Sequence, residues 1–238
     1  MRWTSDEGHG SRSNIRTLRR RAHQAALILH TAYGSPRHDN KDDPLDELVF
    51  IILSQMTTQK SFSRVFDRLK EEVGTWDTVL RMPLRKVRAL IKDAGLSNQK
   101  APRLKTILGK IKGDFGRVSL DALHGMPNDE AENYLTSLPG VGRKTAKCIM
   151  MYSLGRKVLP VDTHVWRVAQ RLGLVGKDVT YHGVHDAMEA AVSPGDRYSF
   201  HVNAVEHGRT LCVHTRPHCS RCPLNRLCPY PRSGEPSR

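Results

Sequence analysis

Apolar positions recur along this chain every three to four residues and almost nowhere every two. From Asn14 onward, Ile15, Leu18, Ala22, Ala25, Ala26, Leu29 and Tyr33 mark one face of a helix, which Gly34 and Pro36 end. Residues 1–13 carry no such face and read as a disordered tail. Two helices follow within 44–74. LDELVFIILS is apolar nearly all round, the mark of a buried helix. After the polar break SQMTTQKS, the segment SFSRVFDRLKEEVG turns Phe62, Val65, Phe66 and Leu69 inward. The same period predicts helices over 75–82, 83–94, 98–115, 120–124, 128–138, 143–153, 162–174, 182–192 and 199–207. Only VLPV, residues 158–161, reads as extended. The predicted class is all-α with short connections.

Charge narrows the partners. Thirty-eight Lys and Arg against 24 Asp and Glu leave a net charge of +14, which favours a polyanion, nucleic acid ahead of an anionic membrane. The run Arg19, Arg20, Arg21 reads as a solvated face or a DNA contact. No segment is long and apolar enough to span a bilayer, and the polar start MRWTSDEGHGSRSN lacks a signal-peptide core. These features lead us to expect an intracellular, cytoplasmic and nucleoid-associated protein with no membrane partner. Of five cysteines, four crowd into the last 27 residues, a pattern of metal binding rather than of disulfides.

Candidate chemistry lies in three places. LPGVGRKTA, residues 138–146, sets Gly140, Val141 and Gly142 in a tight turn before a basic helix start. Such a hairpin lets backbone amides meet a phosphate, with Arg143 and Lys147 beside it. Lys144 falls on the first helical turn, where the helix dipole and nearby cations disfavour its charged form. It reads either as an amine nucleophile or as one more phosphate contact. Asp162, in PVDTHVWRVAQRLGL, is a helix N-cap and a candidate carboxylate partner for that amine. Cys212, Cys219, Cys222 and Cys228, spaced C-x6-C-x2-C-x5-C, can wrap one metal centre, with zinc and an iron–sulfur cluster both open on spacing alone. Cys148, on the helix after Lys144, reads as a small core residue.

Taken in order, LPGVGRKTA, then VDTH with its Asp eighteen residues past Lys144, then HGRTLC opening the cysteine loop, closely resemble the endonuclease III family of helix–hairpin–helix DNA glycosylases. GLSNQKA, 95–101, and ELVFIILSQ, 47–55, are similar to further family segments, so the resemblance spans about 15–230. It implies two helical domains: a six-helix barrel over 44–156 carrying the hairpin at about 129–153, and a domain from 14–43 and 157–238 holding a 4Fe-4S cluster on the four cysteines. It also implies that Lys144 is the Schiff-base nucleophile and that Asp162 assists it. The activity would be a bifunctional glycosylase and AP lyase, acting as a monomer on double-stranded DNA with a damaged pyrimidine or an abasic site. A monofunctional mismatch glycosylase of the same superfamily and a non-catalytic metal-binding DNA-binding protein are the alternatives. Departures from the family pattern concern the lesion-facing loops. Ungapped alignment places Met56 where the family's gap-filling glutamine stands, whereas the Gln-x-Thr pattern selects Gln55, the reading we favour on sequence. Leu96 matches a family wedge residue, and Lys147 replaces an uncharged one.

Overall fold

The computed structural model describes residues 7–36, 39–176 and 178–232. Among them there is no strand; VLPV is an irregular connector. The chain divides into two compact units, Met1–Arg37 with Lys157–Arg238, and His38–Arg156.

The first unit is built on α1 (Glu7–Tyr33), α9 (Thr163–Arg171), α10 (Val184–Ala191) and α11 (Arg197–Thr210). α1 and α9 both pack on α11, and α1 also meets α10. Its core joins Ala22, Ala25, Ala26 and Leu29 to Val165, Val168, Phe200 and Ala204. The small residues of α1 allow close helix approach. Two of the three clustered arginines serve this packing: Arg19 donates to the Ala190 carbonyl and Arg21 to that of Leu172. The expected tail is corrected in part. α1 starts at Glu7, so residues 7–13 are helical, and only 1–6 of the expected tail lie outside the described residues. Extending a helix already fixed by packing costs far less than starting one, and this carries α1 past the end of its apolar stripe.

The second unit comprises α2 (Pro44–Ser54), α3 (Gln59–Val73), α4 (Trp76–Arg81), α5 (Leu84–Leu90), α6 (Ser97–Phe115), α7 (Asn128–Thr136) and α8 (Arg143–Tyr152). α2 lies at its centre, packed on α3, α6 and α8, and is buried from Pro44 to Leu53 except at Asp46. Its start is well specified: Pro44 occupies the first turn, and the Asp43 carboxylate accepts from the amides of Leu45 (2.9 Å) and Asp46 (2.8 Å). The unit begins at 38 rather than at the expected 44, because the segment before α2 is fastened to it. Asn40 and Lys41 bond the Glu47 carboxylate, the Lys41 carbonyl accepts from Ser153 Oγ (2.7 Å), and the Lys41 ammonium sits 4.5 Å from the Phe50 ring centre. α6 crosses α2, α4 and α5 and carries Pro102 inside its length.

Candidate active site

The hairpin joins α7 to α8. Val141 N donates to the Leu138 carbonyl (3.1 Å), closing the turn around Gly140 at φ +73°. A side chain there would be strained, and its Cβ would come 2.9 Å from Arg103 Nε, so glycine answers two demands at once. Gly142 enters α8 in extended conformation and no side chain caps the helix, an arrangement suited to a phosphate oxygen. Val141 is buried, so a DNA contact there is confined to its backbone.

Lys144 is the second residue of α8 and half-buried. Glu47, wholly buried on α2, acts on it through its charge. The Glu47 carboxylate accepts from Asn40 Nδ2 (2.6 Å) and from the Lys41 amide (2.7 Å). Burial pushes its pKa up, and those hydrogen bonds with the Lys144 charge offset only part of that rise. Sequence reasoning missed Glu47. Its only signal was a carboxylate inside an otherwise apolar run.

Lys147 is removed from the expected DNA-binding set. It is 2% exposed, with Nζ 2.9 Å from Glu132 Oε2 on α7; the other oxygen of Glu132 takes Arg143 Nε at 2.6 Å. The helical period turns position 147 towards α7, and half-buried Glu132 provides the countercharge.

The loop after α2 and the loop before α6 lie side by side, with a Cβ at Gly95 placed 3.7 Å from the Met56 carbonyl. Gln55 Oε1 accepts from Arg103 (3.1 Å), so its amide is engaged inside the unit. Met56 is instead 86% exposed and Leu96 46% exposed. The structure therefore favours Met56 over Gln55 as the side chain presented outward. Beneath both loops Lys100, almost wholly buried on α6, donates to the carbonyls of Leu53 (2.8 Å), Gln55 (2.6 Å) and Ala94 (2.7 Å). Burial pushes its pKa down to about 8, with the Arg103 charge adding to the effect. Lys100 and Arg103 were invisible as site residues because their spacing matched only an amphipathic helix.

Asp162 belongs to the first unit. It caps α9, its Oδ1 accepting from the Val165 amide (2.8 Å), which fixes the carboxylate's orientation. The extended approach to it is held by His201 Nδ1 against the Pro160 carbonyl (2.9 Å).

Cys212, Cys219, Cys222 and Cys228 line one cavity together with Arg171 and His207. None of the chain's five cysteines is in a disulfide. Among the described residues no group of three or more His, Cys, Asp or Glu is arranged to hold a metal ion. Four thiols around a cavity fit a multi-atom iron–sulfur group. Burial pushes Cys222 up to about 11, against a backbone hydrogen bond from Leu224 and helped by the neighbouring thiols. Arg171 donates to Cys212 Sγ at 3.3 Å, as suits a thiolate ligand. Cys148 is buried in α8.

Residues 49–194 match the HhH-GPD superfamily of base excision DNA repair proteins. Over 82% of its length the chain is 31% identical to an Arabidopsis thaliana protein named as a DNA glycosylase, and it spans 64% of that relative. It is 30% identical to endonuclease III of Sulfolobus acidocaldarius, covering 75% of this chain and 78% of the relative. A trapped endonuclease III–DNA covalent intermediate superposes with a TM-score of 0.73 at 27% identity, over 92% of this chain and 97% of that one.

Proposed function

Because the chain belongs to the HhH-GPD superfamily of base excision repair DNA glycosylases, in its endonuclease III family, we propose that it excises damaged pyrimidines from duplex DNA and then cleaves the strand at the abasic site. The observation that carries this reading is Lys144 on the uncapped first turn of α8, beside a hairpin able to hold phosphate.

The damaged nucleotide leaves the stack so that its C1′ becomes reachable. Asp162 is the carboxylate that accepts a proton from the Lys144 ammonium. The neutral amine attacks C1′; the Nζ–C1′ bond forms as the glycosidic bond breaks, and the base leaves with the electron pair and gains a proton. Opening of the sugar ring gives an iminium, which acidifies C2′. Loss of a C2′ proton expels the 3′ phosphate by β-elimination, and water releases the sugar remnant and restores the amine. The four cysteines would hold a 4Fe-4S cluster, which supplies a rigid fold for the basic loop around it and takes no part in these steps.

Borohydride added during turnover on an abasic duplex tests this reading. The expected result is a covalent protein–DNA adduct that Lys144→Gln abolishes. An undiminished adduct with that variant, or none with the parent protein, overturns the lyase chemistry.

A further inference from the structure

Two apolar side chains, Met56 and Leu96, stand in water on adjoining loops. Both are non-glycine residues in the left-handed region, at φ +55° and +51°. Neither feature benefits the isolated fold: exposure forfeits burial, and a left-handed backbone is strained for any residue with a Cβ. Such strain persists only where the surroundings impose it. Here the surroundings include one ammonium group that reaches both loops. Lys100 has three N–H donors, and each goes to a backbone carbonyl. One of these belongs to Gln55, the residue before Met56. Another belongs to Ala94, two residues before Leu96. The third, on Leu53, ties the same point to the end of α2. One turn along α6, Arg103 holds the Gln55 side chain and lies against Gly140 of the hairpin. The two loops are thus fastened to one helix at their roots and left bare at their tips.

We propose that Lys100 is a positioning residue: by holding the roots of both loops it orders Met56 and Leu96, the positions that match the family's gap-filling and wedge residues, before duplex DNA is met. The proposal rests on the DNA-glycosylase reading above. Apolar wedges driven between base steps unstack and kink a duplex, and they act best when their order is established before binding. Lys105 provides an internal comparison. Also on α6, it donates to the carbonyls of Val79, Leu80 and Met82 at the end of α4, with neither loop attached.

The test uses the full-length protein and a duplex with a tetrahydrofuran abasic site opposite 2-aminopurine, whose fluorescence rises on unstacking. At saturating protein the parent is expected to give a several-fold rise. Lys100→Met should cut that rise at least threefold while changing affinity for undamaged duplex less than twofold. Lys105→Met should keep the full rise although it too loses stability. Lys100→Arg keeps the charge but cannot converge three donors on one point, and it decides the matter if the methionine variant does not fold. Should neither fold, the surface pair Met56→Ala with Leu96→Ala decides, since a full rise without those side chains overturns the proposal. A full rise in either folded Lys100 variant also overturns it, as does tight binding by the parent with no rise. In that last case the glycosylase reading survives; failure of the parent to bind abasic duplex is what would end it.

Discussion

Buried Lys147 and half-buried Glu132 form an ion pair, Nζ to Oε2 at 2.9 Å, that ties α8 to α7 behind the hairpin. Removing one member of such a pair leaves a desolvated charge. Lys147→Met is therefore expected to cost about 1–3 kcal/mol, below the range for wholly buried pairs because Glu132 is partly exposed and keeps Arg143. Urea unfolding measures the loss. Because Lys147 does not reach a phosphate, the salt dependence of DNA binding should be unchanged, whereas a phosphate-contacting cation would lower the slope by about one.

Glu132 also makes stability depend on acid. Burial pushes its carboxyl up, but hydrogen bonds from Arg143 and Lys147 outweigh that, and the net shift is below the ordinary 4.5. The folded state then binds the proton less readily than the unfolded chain. Its contribution is complete above pH 4.5 and fades as pH falls through the lower folded value. Urea midpoints measured between pH 6 and 3 should fall for the parent and fall less steeply for Glu132→Gln.

Lys100 gives the opposite kind of window. Its pKa drops from 10.5 to about 8 on folding, so between those values the unfolded chain binds more protons and the group's contribution to stability rises with pH. Lys100→Met lacks that contribution. Its Tm deficit relative to the parent is expected to widen from pH 8 to pH 10.5; a constant deficit would contradict the buried ammonium.

Glu47 places a buried carboxylate within the electrostatic reach of Lys144. A negative charge favours the ammonium form, so its removal makes the neutral amine easier to reach. Glu47→Gln is expected to move the acid limb of the borohydride-trapping rate to lower pH. A limb left in place would show that Glu47 serves the fold alone.

Met56 offers only a weakly accepting thioether to the base opposite the lesion. Base release by the parent should vary little among the four opposite bases. Met56→Gln adds a donor and an acceptor and should introduce a preference of roughly tenfold, about the value of one good hydrogen bond. Single-turnover rates on four duplexes measure it.

Much of this was legible in the sequence, and the exceptions share a cause. The helices of the second unit announce themselves by their apolar period, and the hairpin by its two glycines. Asp162 as a cap and the clustered cysteines also need only local spacing. What escaped depends on partners carried by other elements. Lys147 looks like a surface cation until Glu132 is found on the preceding helix. Lys100 looks like a solvated helix residue until three carbonyls from two other segments converge on it. The choice between Gln55 and Met56 turns on Arg103, dozens of residues away. Charge on a side chain is local information, but the burial and pairing that decide its role are not.

Pro102 gives α6 one further property. It has no amide hydrogen, so the opening turn of the helix lacks the backbone bond that would reach Asn98. That turn is secured at Lys100 and Arg103 by side chains, while Leu104, Ile107, Leu108 and Ile111 anchor the remainder in the core. Closure of that turn, and with it the order of the two loops rooted on it, therefore depends on the Lys100 and Arg103 side chains rather than on the backbone ladder alone. Amide exchange should be faster there than from Leu104 onward.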